Sequence, residues 1–486
     1  MRPARSAVRC NRLLCGASLT LNCDIKVHDI FTPSQLRVQR HGRFIFNAGI
    51  GLNENHIDSA LSSYFFQLFN QDRRNSFSPM LWCHSEIALA RQECSIVEIE
   101  GRGRIMKFSI FMMPLHHPTE NPSLAFDRDI SLIQYADELG YDEFFIGEHH
   151  SGGWETMPAP EMALAKASAL AHRIRLGTSA ISVPFHHPFH VAERMAFLDH
   201  LTRGRAILGV GPCALVTDKN LFGLATEKLY PMMAESVEII VRLLESPEPI
   251  DYDGKFWKLK QMRLQLRSYQ QPRMPLAIAS SGNPVSLELA GKHGMLFLSP
   301  AGKNKRNNQT KAEQWTKVEA IAAKYGTQTS RDNWRIATCV YLAESREEAW
   351  RDVEANIDRD KLYFFSIGLK SPYEAYPGQP AHEITARSGA DRRDWIIGTP
   401  EDAIAQIERM QADTGGFGGL MLTTHEWAST EKVRRSYELF ARYVIPHFRG
   451  HNQGYRDEWR RIEEAAADGG FKPGAVSTNN LLLKGG

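Results

Sequence analysis

Glu148, His149 and His150 stand in a row directly after the apolar run Phe144-Phe145-Ile146. A carboxylate beside two imidazoles can bind a metal, move protons or simply furnish a polar loop. Neighbouring side chains of an extended segment point to opposite sides, so His149 and His150 do not readily grip one ion together. The chain carries adjacent pairs, His116-His117 and His186-His187 as well, where barrel metal hydrolases use His-x-His. A metal-dependent hydrolase is therefore the weaker reading, and no metal ligand set is assigned. For His116 and His117 an ordinary loop is as good an account as a role. Three ionisable groups closing an apolar strand are costly to desolvate without a use, which favours function at Glu148-His149-His150.

A second kind of chemistry is written in Ser280-Ser281-Gly282-Asn283-Pro284, after the apolar PLAIAS. Small hydroxyl residues opening a helix offer N–H groups and dipole to a phosphate, although the same string is an ordinary capped helix start. Gly209-Val210-Gly211-Pro212 is a further glycine-bearing turn. No GxGxxG follows a strand and no Walker sequence is present, so nothing promises a pyridine-nucleotide site.

The elements that must position these residues begin at Met106. From there short apolar runs alternate with helical patterns: MKFSIFMM, YDEFFI, IRLGTSAI, RAILGVG, PLAIAS, GMLFLS, WRIATCVYL and GGLMLTT. This β-α alternation predicts a parallel sheet with crossover helices, and the count of strands predicts a (β/α)₈ TIM barrel with insertions. Helices are expected at 123–139, 160–171, 188–202, 228–245, 284–291, 311–325, 345–358, 400–413 and 430–447, with a hairpin near 252–266. Residues 361–398 read as an insertion. In such barrels chemistry sits at the C-terminal strand ends, which is where Glu148-His149-His150, both other histidine pairs and Thr423-Thr424-His425-Glu426-Trp427 fall.

Bulk properties agree. The 486 residues are 43% hydrophobic with formal net charge +2, enough for a large barrel and without the field of a nucleic-acid binder. No apolar run approaches a membrane span of roughly 18 residues. Seven cysteines with no CxxC read as free thiols in a reducing, cytoplasmic compartment. Residues 1–105 show no sustained period beyond short helices near 59–69 and 86–91. They are expected to be a poorly ordered extension or the product of an upstream start. The opening MRPARSAVRCNRLLCGASL could pass for a transit peptide but not for a secretory signal. Residues 106–448 form the barrel, and 449–486 a charged helix and disordered tail.

GEHHSGGWE, RIRLGTSAISVPFHHPFHVAERMAFLDHLTRGRAILGVGP and GTPEDAIAQIE before GFGGLML resemble the bacterial luciferase-like flavin monooxygenases, nearest to the limonene-oxygenating branch. The resemblance spans about residues 106–448. It implies a homodimeric barrel that takes reduced flavin (FMN or FAD) from a separate reductase. A flavin hydroperoxide then passes oxygen from O2 to a small apolar substrate, with epoxidation of a limonene-like monoterpene favoured. It carries the catalytic histidine onto His149, with Glu148 and His150 turned away to hold the loop, and a non-prolyl cis peptide under the flavin onto Ser179-Ala180. Flavin contacts fall on Ser280, Ser281, Gly282 and Gly211. Phe111, Trp154, Phe185 and Trp427 would form the substrate cup. The chain departs from the pattern at Pro212, where many relatives place a phosphate-binding arginine, and at Cys213, where the branch has glycine. Within the fold, a flavin- or deazaflavin-linked dehydrogenase is the alternative. A non-catalytic partner subunit would be expected to lose EHH, which this chain keeps.

Overall fold

The computed structural model describes residues 9–15, 18–24, 105–302, 309–370, 373–374, 376 and 378–467. The chain divides into a unit ending at Glu100 and a second from Gly101. In the first, Arg9–Cys15 and Ser18–Asp24 pair as an antiparallel hairpin, an element absent from the sequence reading, which expected a poorly ordered extension. The short helices expected near 59–69 and 86–91 lie outside the described residues.

The second unit is the expected barrel. Its strands are β1 (Lys107–Met112), β2 (Glu143–Ile146), β3 (Arg175–Thr178), β4 (Ala206–Gly211), β5 (Leu276–Ala279), β6 (Leu296–Pro300), β7 (Trp334–Leu342) and β8 (Gly419–Thr423). All pair in parallel, and β4–β5 and β8–β1 pairing closes the ring. Period-2 alternation sends Phe145, Ile207, Ala277, Leu298 and Met421 into one buried cluster, while the alternate residues Phe144, Leu208, Ile278 and Phe297 join the larger core.

The helices that matter for the site are α1 (Pro122–Leu139), α2 (Pro160–Ser168), α3 (Pro188–Leu201), α4 (Val216–Leu221), α5 (Thr226–Glu245), α6 (Pro284–His293), α7 (Lys311–Tyr325), α8 (Arg346–Ser366), α9 (Ala386–Arg393) and α10 (Pro400–Thr414). Their ends follow local chemistry. Proline opens α1, α2, α3, α6 and α10, where its missing N–H costs nothing. Thr399 and Asp402 form a reciprocal capping box on α10.

Two features depart from expectation. Helix α8 continues to Ser366, eight residues past its expected end, and α4 was not foreseen. The insertion 361–398 is built on that longer helix, on α9 and on a short strand, Ile396–Gly398, that pairs with the far end of β7. At the opposite, N-terminal end of the barrel, Glu143 of β2 and Arg335 of β7 meet across the interior at 2.9 and 3.0 Å. Ser109 of β1 donates to the same carboxylate. The pair is buried, and after paying for desolvation the Arg335 cation holds the Glu143 carboxyl down at about 2.

Candidate functional site

Strand β2 leaves the barrel through Gly147, where a Cβ would stand 3.3 Å from the Ser179 carbonyl and 3.8 Å from the Phe111 ring. The next three residues alternate as their extended backbone requires. Glu148 and His150 share one side, joined by His186 from the loop after β3. His150 Nε2 and His186 Nε2 lie 2.9 and 3.0 Å from Glu148 Oε1. One ligand-type atom from each of these three residues lies within 4.8 Å of the others, so among the described residues Glu148, His150 and His186 are the group that could hold a metal ion. The sequence reading weighed the pair His149 and His150 instead. It missed His186 as a partner because the contact joins two different loops.

His149 faces the other way. Its Nδ1 is 3.0 Å from Asp218 Oδ2 on α4, and its Nε2 is 3.0 Å from Glu155 Oε2. The first contact is a hydrogen bond. The second is an ion pair, and Glu155 Oε2 has no other hydrogen-bonding partner among the described residues. Burial alone would lower the imidazole's pKa, but the two carboxylates outweigh it and raise it to about 10. His149 is thus an imidazolium across the neutral range. Neither Asp218 nor Glu155 was singled out in the sequence; Asp218 arrives on the unforeseen α4.

The β3 and β4 ends come unusually close. The peptide bond between Ser179 and Ala180 is cis. A Cβ at Gly209 would collide with the Thr178 carbonyl at 1.8 Å, and one at Gly211 would meet the Ala180 Cβ at 3.0 Å. The Gly-Val-Gly of β4 is therefore a packing requirement of this crossing. Beyond it, Cys213 holds a φ of +106°, where a side chain is strained. Burial beside Asp218 pushes its thiol up to about 12.

At the β5 end the Ser280–Asn283 turn spends its own donors. Ser280 Oγ accepts from the N–H groups of Gly282 and Asn283, and Asn283 Oδ1 accepts from Val285 N–H. The Gly282 and Asn283 amides, expected to face a phosphate, are thus satisfied within the turn in this structure. What is unsatisfied is a side chain the sequence reading missed. Gln314 of α7 is fully buried, and neither polar atom of its amide has a partner among the described residues. It lies against Gly282 (φ +102°), where a Cβ would stand 2.6 Å from Gln314 Nε2. The Ser286 hydroxyl, in the first turn of α6, is also buried without a partner. Ser281 is half-buried beside them.

Across the mouth lies a cavity of about 180 Å³ lined by Phe111, Cys339, Phe364, Tyr373, Trp395 and Trp427, among others. Phe111 and Trp427, two of the four expected cup residues, are in its wall. The other two are elsewhere. Trp154 stacks on Tyr363 at 4.5 Å, and Phe185 stacks on Phe222 at 4.2 Å beside His150. Both aromatics found closer partners on α8 and after α4.

Comparison with known proteins accords with this geometry. The luciferase-like monooxygenase profile matches residues 106–416. The chain is 37% identical over 368 residues to 4-hydroxyprotoasukamycin monooxygenase of Streptomyces nodosus subsp. asukaensis, covering 74% of this chain and 97% of that one. It is 36% identical over 348 residues to limonene 1,2-monooxygenase of Rhodococcus erythropolis, covering 72% and 88%. In fold it is similar to the oxygenating constituent of 3,6-diketocamphane monooxygenase from Pseudomonas putida, a type II Baeyer–Villiger monooxygenase solved with FMN. That match has a TM-score of 0.61 at 23% identity and covers 70% of this chain and 98% of that one. With its closed barrel, its matched profile and these relatives, the chain belongs to the luciferase-like monooxygenase family and is an oxidoreductase of that family.

Proposed function

We propose that the chain is the oxygenase component of a two-component system. It takes FMN reduced by a separate reductase and adds one oxygen atom to a small organic molecule with an apolar body, limonene-like monoterpenes included. The observation that carries this reading is the pairing, at one barrel mouth, of the buried, unsatisfied Gln314 amide beside Gly282 with an aromatic-rich cavity opposite. The residues fit the cofactor: Gln314 and Ser281 would hold the phosphate, and Ser179-Ala180 would lie under the ring. Bound reduced flavin supplies the two electrons that dioxygen needs; one oxygen atom enters the substrate and the other leaves as water.

The chain's own residues bind, orient and exclude water. Asp218 anchors His149 through Nδ1, so the loosely held Nε2–H is the donor that a reacting oxygen can take over from Glu155. Glu148, between His150 and His186, fixes the two loops behind it. The aromatic wall keeps water from the reacting atoms. A homodimer across α2 and α3 accounts for the exposed Met162, Leu170, Phe197 and Leu201. A cytoplasmic location completes the reading; among the described residues no helix is long and apolar enough to cross a membrane.

The test is titration with FMN followed by oxygen uptake with chemically reduced FMN. Gln314→Leu should weaken flavin binding about fivefold, the scale of one hydrogen bond. Gly282→Ala should cost more than about tenfold, because it displaces the Gln314 amide and strains a left-handed residue. Unchanged affinity in both variants sinks the site. Product formed without oxygen uptake would favour hydride transfer over oxygenation.

A further inference from the structure

Helix α11 (Gln453–Ala467) is the last described element, and none of its residues is buried. Tyr455 is 70% exposed and Trp459 60%. Ile462 is half-buried and Ala466 exposed. These four apolar residues follow one another at spacings of four, three and four, which is the d-a-d-a seam of a two-heptad coiled coil. The rest of the helix is almost wholly charged, so the seam is a narrow apolar stripe with a tryptophan standing in water.

The charges beside the stripe say what covers it. Asp457 pairs with Arg460 at 3.2 Å and Glu458 with Arg461 at 2.6 Å, each three residues along the same helix. Arg456 and Glu463, the two e positions flanking the seam, make no ion pair among the described residues. Two such helices laid antiparallel set d against a. Tyr455 then lies opposite Ala466 and Trp459 opposite Ile462, each layer occurring twice by symmetry, so a larger side chain meets a smaller one throughout. The same register brings Arg456 opposite Glu463 on the flank, again twice. A parallel pair would stack Trp459 on Trp459, leave Ala466 facing Ala466 and set Glu458 against Glu463. A membrane surface is the poorer occupant, because the helix carries three arginines against four carboxylates, where interfacial helices are rich in basic residues. We propose that α11 is a self-association helix, binding α11 of a second copy of this chain as a short antiparallel coiled coil closed by Arg456–Glu463 pairs. Two heptads are few, so the step is reversible and concentration-dependent. It uses none of the residues of the α2 and α3 face and rests on neither the flavin nor the monooxygenase reading.

Sedimentation velocity of the full chain over a concentration series reads the step. Wild type is expected to self-associate. Arg456→Glu turns two attractive pairs into repulsive ones and should weaken the association about tenfold, as should Glu463→Arg. The two substitutions combined should return it to the wild-type level. Trp459→Ser should weaken it about a hundredfold, since a tryptophan is withdrawn from both sides of the seam. All three side chains are exposed, so thermal melts should coincide with that of wild type, and the charge swap decides the matter if Trp459→Ser does not fold. Tighter association in Glu463→Arg marks a parallel pair and overturns the proposal. So does the absence of any association step that Trp459→Ser weakens. Capture of wild type but not of Trp459→Ser by phosphatidylcholine–phosphatidylglycerol vesicles, without self-association in solution, assigns the face to lipid and overturns it as well.

Discussion

The two halves of the barrel mouth are built by different means. From β2 to β5 the surface is set by the main chain: a Cβ would strike a neighbour at Gly209 and Gly282 and crowd one at Gly147 and Gly211. Short loops bring charged groups into fixed pairs there. From β6 round to β1 the surface is set by side chains. Phe364, Tyr373, Arg393 and Trp395 come from the insertion and close over Phe111 and Trp427. A main-chain site tolerates little change and suits an invariant cofactor; a side-chain cavity can be refitted by substitution and suits a varying substrate. The relatives, which share the barrel but are named for different substrates, are consistent with that division.

The largest expected effect comes from cutting the tie between the halves. Glu143 of β2 and Arg335 of β7 are both buried, so Glu143→Gln leaves a cation unpaired in the interior and should cost about 3–5 kcal/mol. The folded carboxyl sits near 2, below its usual 4.5. The stabilisation is therefore fully present above about pH 4.5 and is lost as pH falls toward 2. Denaturant melts at pH 7 and pH 3 should show a large gap between wild type and variant that narrows in acid. Flavin binding and cavity binding should fail together, and loss of one alone would show that the halves are independent.

A smaller effect belongs to the cofactor half. The His149 pKa is raised from 6.5 to about 10 by Glu155 and Asp218. Its contribution is fully present below about pH 6.5 and disappears as pH rises through 10. His149→Gln should lose about 2 kcal/mol at pH 7, the scale of a charge-assisted bond, and its melting temperature should fall less between pH 7 and 10 than that of wild type. Parallel curves would mean that the two carboxylates do not hold a cation. If Nε2–H serves the reaction, the variant also releases hydrogen peroxide in place of product.

The smallest effect tests the main-chain character of that half. Cys213 adopts a φ that favours glycine, so Cys213→Gly should stabilise by about 0.5–1 kcal/mol, with unchanged ligand binding in the aromatic cavity. A lower melting temperature would show that the thiol's 3.2 Å contact with the Leu215 carbonyl is worth more than the strain.

The sequence by itself determined the barrel. Period-2 and period-3.6 patterns are local, and each of the eight strands and most helix ends could be read from them, as at Thr399-Pro400 or Asn283-Pro284. It also located the strand-end motifs Glu148-His149-His150 and Ser280–Gly282 and the cis bond at Ser179-Ala180, the last through resemblance. Only the tertiary structure decided what these groups touch. Asp218 reaches His149 across 69 positions and Glu143 meets Arg335 across 192, separations at which no local pattern carries information. Gln314 reads as one more polar residue in an amphipathic helix until α7 packs it onto Gly282. His425 reads as a strand-end histidine until β7 takes one nitrogen and leaves the other bare. Burial and partnership are properties of chain segments that meet only on folding, and they fixed the charge of His149, the satisfied Gly282 and Asn283 amides and the mixed lining of the cavity.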